Sequence, residues 1–212
     1  MSAEKFDPFV SEWISFSKNP NYNLIEKCLK MAQILEYPEL DISKYIEKIN
    51  DMSNSLKAKI GKVKNSTYLI SMLNEHLFDE LGFYGAEEDY YDPGNSFLNI
   101  VLDKKTGIPI TLSIIYSEVA KNIGLDLQIV GFPGHVIVKY KDEVILDPFY
   151  RGRLLTIEDL EGILNRNFGE DVEFVPEYLN SATAEQLLTR LLRNLKNAYT
   201  QSYAYDLSLI HI

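Results

Sequence analysis

The sequence predicts an α+β fold, and three observations carry that prediction. The first third repeats apolar residues at helical spacing. A single long apolar segment, 108–120, follows Gly107 and contains the helix-initiating Pro109. Three short β-runs at 127–132, 135–140 and 144–146 come next, separated by Pro133–Gly134 and Lys141–Asp142. A hairpin-rich antiparallel sheet behind a helix is an α+β arrangement.

The elements follow in order. Phe6, Phe9, Val10, Trp13 and Ile14 fit one helical face, which Asn19, Pro20 and Asn21 end. Leu24, Ile25, Cys28, Met31, Ala32 and Leu35 make a second stripe, stopped by Pro38. Asp41 is placed to cap a helix over 42–60. Ser66 is placed to cap another that runs to Leu81 and stops at Gly82. Residues 85–96, rich in Gly, Asp, Glu, Tyr and Pro, read as an irregular loop, and 97–102 as a short apolar patch. A helix starting at Gly107–Ile108–Pro109 runs to Ile123 and ends at Gly124. After the β-runs, Thr156 caps a helix to about Asn165, with Asp159 in its first turn. Residues 168–179 read as irregular, and 182–201 as strongly helical.

Length and composition set limits. The 212 residues suit one mid-sized domain, or one plus a small appendage. The formal net charge of −10 argues against binding to phosphate backbones and to anionic membranes. Cys28 is the only cysteine, so no intrachain disulfide forms and no Cys/His zinc cluster exists. The acidic loop Glu87, Glu88, Asp89 and Asp92 lacks the spacing of an EF-hand and reads as solvated. No metal or cofactor is expected. The N-terminus has no apolar core of signal-peptide length, and the 108–120 stretch is too short to span a bilayer. A cytoplasmic location is expected.

The chemistry is read from the order of a helix, then His135, then Asp147. Cysteine hydrolases and transferases of the papain type place a thiol at a helix N-terminus, whose positive end favours the thiolate. A histidine on a neighbouring strand acts as base and a carboxylate on the next strand orients it. His135 and Asp147 have the types and order of that pair, and antiparallel strands would set them side by side.

From about Leu73 to Leu164 the chain resembles the SirB-like branch of the transglutaminase-like superfamily. The blocks that carry the resemblance are LNEHLFDELGF, DYYDPGNSFLNIVLDKKTGIPITLSIIYSEVAKNIGL, VGFPGH and ILDPFYRGRLL. The resemblance implies a papain-like core with helices before it and tetratricopeptide repeats after it. It also implies the domain division: 1–65 a helical region packed on the core, 66–180 the core, and 181–206 the start of a tetratricopeptide-type region. The run RLLRNLKNAYTQSYAYDLS looks like half of one repeat, whose apolar face a lone half-repeat leaves uncovered. Residues 207–212, LSLIHI, match what a sequencing adaptor encodes and are expected to be artefactual, His211 with them.

Position by position, the resemblance puts His135 and Asp147 on the family's histidine and aspartate, and Gly107 on the glycine before its nucleophile. Counting back from Gly124 puts the cysteine position on Pro109. Proline has neither nucleophile nor N–H, which closes the acyl-enzyme route there. Thr111 and Ser113 carry hydroxyls in the first helical turns, but such residues more commonly cap backbone N–H groups or face the core. Asn95 and Asn99 are candidates for loop bonding or ligand contact, Arg151 and Arg153 for a substrate carboxylate or surface ion pairs, and Tyr90 and Tyr91 for the cleft rim. Cys28 reads as a packed core residue and His76 as a helix-surface or packing residue. Two functions remain: a non-catalytic regulatory module binding a protein or peptide, or a hydrolase or transferase in which His135 and Asp147 activate water or a hydroxyl.

Overall fold

The computed structural model describes residues 8–141, 143–169 and 171–201. Its centre is a helix, because residues 109–120 are apolar or small on every side. In α6 (Pro109–Asn122) each of the first twelve residues except Glu118 is buried. Around it pack α2 (Leu24–Leu35), α3 (Ile42–Ile60), α4 (Ser66–Asn74) and α5 (Leu98–Lys104). The first helix, α1 (Pro8–Ser17), leans on α2. The α2 and α3 stripes bury Ile25, Cys28, Leu29 and Met31 against Tyr45, Ile49, Leu56 and Ile60 in one shared core.

Several boundaries differ from expectation for identifiable reasons. Asn65, not Ser66, caps α4: its side chain accepts from the Tyr68 amide at 2.9 Å. The expected single helix to Leu81 instead becomes a π-helical turn over Glu75–Glu80. That turn carries His76 into the core, where Nε2 donates to the Met52 carbonyl (3.0 Å) and Nδ1 lies 2.6 Å from Glu80. His76 is thus a packing residue, as its setting among Leu73, Leu77 and Phe78 suggests.

The main sheet has the order β3-β4-β5-β6, all antiparallel: β3 (Gln128–Val130), β4 (Ile137–Tyr140), β5 (Val144–Asp147) and β6 (Arg153–Leu154). Period-two alternation splits it between two cores. Ile129, Val138 and Leu146 face the α6 side. Val130 and Ile137 join Phe132 and the buried stripe of α7 (Ile157–Phe168), Leu160, Ile163 and Leu164. Thr156 and Asp159 cap α7 reciprocally, as predicted. His135 does not open a strand: it ends the turn before β4, its amide donating to the Phe132 carbonyl at 3.1 Å. A two-residue parallel ladder, β1 (Tyr84–Gly85) with β2 (Thr106–Gly107), leads directly into α6.

The last helix, α8 (Ala184–Gln201), corrects one expectation. Its stripe of Leu187, Leu188, Leu191, Leu192, Leu195 and Tyr199 is buried, because α2 and the 3-10 turn Pro93–Ser96 cover it. Residues 207–212 lie outside the described residues. Among the described residues no helix is long and apolar enough to cross a membrane, and no cluster of His, Cys, Asp and Glu is arranged to hold a metal ion.

Candidate functional site

Two local devices build the site. The first is the start of α6. Pro109 occupies the first helical position, where its missing N–H has no partner to lose. Thr111 Oγ1 accepts from the Ile108 amide (3.1 Å), and its proton serves the carbonyl of Asn95 (3.0 Å) or of Ile108 (3.1 Å). Gly107 is required: a Cβ there would sit 2.7 Å from Thr111 Oγ1 and 2.9 Å from Val101.

The second device is the corner where β5 ends. Pairing Val138 with Leu146 brings the residues before β4 alongside Asp147. His135 Nε2 lies 2.9 Å from Asp147 Oδ2. The carboxylate accepts, so Nε2 carries the proton and the neutral ring leaves Nδ1 as a free acceptor. Among the described residues nothing bonds Nδ1. Asp147 is 1% exposed, and its second oxygen accepts from the Phe149 amide at 3.0 Å. One carboxylate thus both braces the turn at Pro148 and bonds the histidine. Tyr150 stacks on the imidazole at a centroid distance of 6.4 Å and 23°, and Phe149 meets it edge-on at 6.0 Å.

Pro109, His135 and Asp147 line one cleft of about 630 Å³. Tyr90, Tyr91, Phe149 and Tyr150 give it an aromatic wall, and Glu87, Arg153, Glu158 and Arg166 a charged one. Burial pushes the Tyr90 phenol above its ordinary range, while Arg190 pulls it back and Tyr91 adds to the rise. The expected rim aromatics are thus in place.

Of the other sequence candidates, only Arg153 lines this cleft. Asn95 donates to the Asp89 carbonyl and ties the loop to itself. Asn99 and Ser113 are buried elsewhere, with Asn99 Oδ1 and Ser113 Oγ unpartnered. Thr111 is wholly buried and occupied by its cap. Arg151 pairs with Asp79 beside a neighbouring groove, and Arg153 pairs with Asp159 on the cleft wall. Cys28 is a core thiol that burial pushes up to about 12, far from any nucleophilic role. The stacking role of Phe149 and Tyr150 was not read from sequence, although both directly follow Asp147 in the LDPFY string.

Comparison with known proteins gives the chain's family. The chain matches the transglutaminase-like superfamily over residues 43–193. It belongs to that superfamily. The UPF0162 protein of Xylella fastidiosa strain 9a5c is 33% identical over 177 residues, covering 81% of this chain and 63% of that protein. The UPF0162 protein of Vibrio cholerae is 27% identical over 136 residues, covering 62% and 50%. Human F-box only protein 21 is 29% identical over 153 residues, 64% of this chain and 24% of that protein. The chain thus spans less than two thirds of the length of these relatives. No solved structure matches it significantly.

Within the transglutaminase-like chain, the cleft joins the start of the central helix to the His135–Asp147 corner. What it presents chemically is an oriented acceptor, a buried carboxylate and an aromatic wall.

Proposed function

We propose that the chain is a non-catalytic, cytoplasmic member of the SirB-like branch, acting as a regulatory module that binds a protein or peptide in the His135–Asp147 cleft. In this reading 66–180 is the transglutaminase-like core, 1–65 packs on it, and 181–206 begins a tetratricopeptide-type region. The observation that carries the reading is Pro109 in the cleft beside the pair: the wall that would hold a nucleophile offers a pyrrolidine ring. The hydroxyls nearest in sequence give no substitute, since Thr111 is bonded to backbone and Ser113 lies outside the cleft. Pro109 also removes one amide that would otherwise stabilise an oxyanion.

In this role His135 Nδ1 accepts a hydrogen bond from the bound peptide, and Tyr90, Phe149 and Tyr150 supply apolar contact. The free Nδ1 also favours a second reading, in which His135 activates water. Labelling with a fluorophosphonate and with an acylating probe separates them. No His135-dependent label is expected on the binding reading, whereas peptide-array binding is expected to fall at least tenfold in His135→Ala. Labelling of the wild type that disappears in His135→Ala would replace the binding reading with the hydrolytic one.

A further inference from the structure

The turn that carries His135 is held from behind by a residue outside the cleft lining. Arg190, on α8, sends Nη1 to the Phe132 carbonyl at 2.9 Å and Nη2 to the His135 carbonyl at 2.8 Å. One guanidinium therefore grips both ends of the four-residue turn 132–135. A planar fork with fixed N–H directions is preorganised for that double contact, whereas an ammonium must place its donors from a single point on a flexible stem. Burial depresses the Arg190 guanidinium below its ordinary value, and Tyr90 partly offsets this. No carboxylate pairs with it among the described residues. A desolvated cation held by two carbonyls costs more than an apolar side chain would in packing α8, which already buries seven residues on its inner face.

The surrounding geometry makes the turn a thin partition. A groove of about 860 Å³ lies on its other side, lined by Arg190, Arg193, Pro133 and Gly134. Gly134 lines both that groove and the His135 cleft. It holds φ at +74°, and a Cβ there would meet Asn167 of α7 at 2.5 Å. The turn is thus fixed by α7 on one side and by Arg190 on the other.

We propose that Arg190 is the positioning residue of the His135–Asp147 pair, and that α8 controls that pair through the Phe132–His135 turn. Taking the fork away frees the His135 backbone, and with it the angle at which Nε2–H meets Asp147. The proposal rests on the reading of His135 as the anchor of the cleft, but its test reads the imidazole directly and needs no peptide.

The test is NMR of the His135 ring: exchange of the Nε2 proton with water, and the ring-current shift of the carbon-bound protons from Tyr150. Arg190→Met, which keeps the stem and loses the fork, is expected to accelerate Nε2–H exchange at least tenfold and to collapse the ring-current shift. Arg190→Lys restores part of the protection. Arg193→Met in the same groove, and Leu192→Ala, which loosens α8 without touching the fork, leave both signals at wild-type values. Wild-type exchange in Arg190→Met overturns the proposal, as does equal loss in Leu192→Ala. Should Arg190→Met not fold, Arg190→Lys decides alone: a rate between two- and tenfold above wild type supports it, and an unchanged rate overturns it. Failure of peptide binding in the array leaves these outcomes standing, so the two readings fail separately.

Discussion

The start of α6 and the end of β5 are two walls of one cleft, built on opposite principles. At the start of α6 the Thr111 hydroxyl is closed on backbone, taking the Ile108 amide and serving the Asn95 carbonyl, and Pro109 presents carbon. At the end of β5 a buried carboxylate spends one oxygen on its own turn and the other on an imidazole whose remaining nitrogen stays free. One wall presents an oriented imidazole, and the other presents the Pro109 ring. The difference teaches that one buried carboxylate can serve the fold and the cleft at once, because Asp147 braces its own turn and holds His135.

If that is right, the β5 corner is the costlier wall to damage. Asp147→Ala strands the Phe149 amide and the His135 Nε2–H where a carboxylate 1% exposed stood, and should destabilise by about 3 kcal/mol in urea unfolding. Asp147→Asn, which keeps one acceptor, should lose less. A cost for Asp147→Ala below that of Thr111→Val would break the comparison. Next in size is Gly134→Ala, where a left-handed φ and the contact with Asn167 add to about 2 kcal/mol. Asn167→Ala in the same chain should return part of it by relieving the clash.

Thr111→Val keeps the shape but leaves the Ile108 amide without an acceptor, at a cost of about 1–2 kcal/mol, with no change in the His135 ring signals. A pH-dependent effect, absent near neutrality, belongs to the scaffold around both walls. Burial raises the Cys28 thiol and the Tyr45 phenol to about 12, and Tyr116 and Tyr199 shift in the same direction. At Tyr45 and Tyr199 the carboxylates of Asp103 and Glu36 add to burial. Folded values above unfolded ones favour the fold at lower pH, and that contribution fades as pH rises from about 9 toward 12. Thermal melts should fall gradually over that window and stay flat between pH 7 and 8.5.

Much of this was legible in sequence, and the rest has physical reasons. His135 and Asp147 were readable because residue type and element order suffice to pair them across a hairpin. Pro109 was readable because Gly124 fixes the end of its helix. The rim tyrosines 90 and 91 stood out as aromatics in a polar loop. The π-helical turn at Glu75–Glu80 escaped, since helical periodicity does not separate it from an α-helix over six residues. The strands β1, β2 and β6, two residues each, are too short to show alternation. Arg190 escaped because its partners lie 55 and 58 residues away, and no local pattern announces them. Asn95 and Asn99 were named from the NSFLN block and Thr111 and Ser113 from the first turns of α6, but all four are buried away from the cleft.

The most direct measurement is the alkylation of Pro109→Cys by iodoacetamide at pH 6. Cys28 is buried and should not react in the folded chain, so the introduced thiol reports alone. If Pro109 and His135 share the cleft as described, its rate should exceed that of Pro109→Cys combined with His135→Ala at least tenfold, because the imidazole favours the thiolate. Equal rates in the two variants would contradict the account.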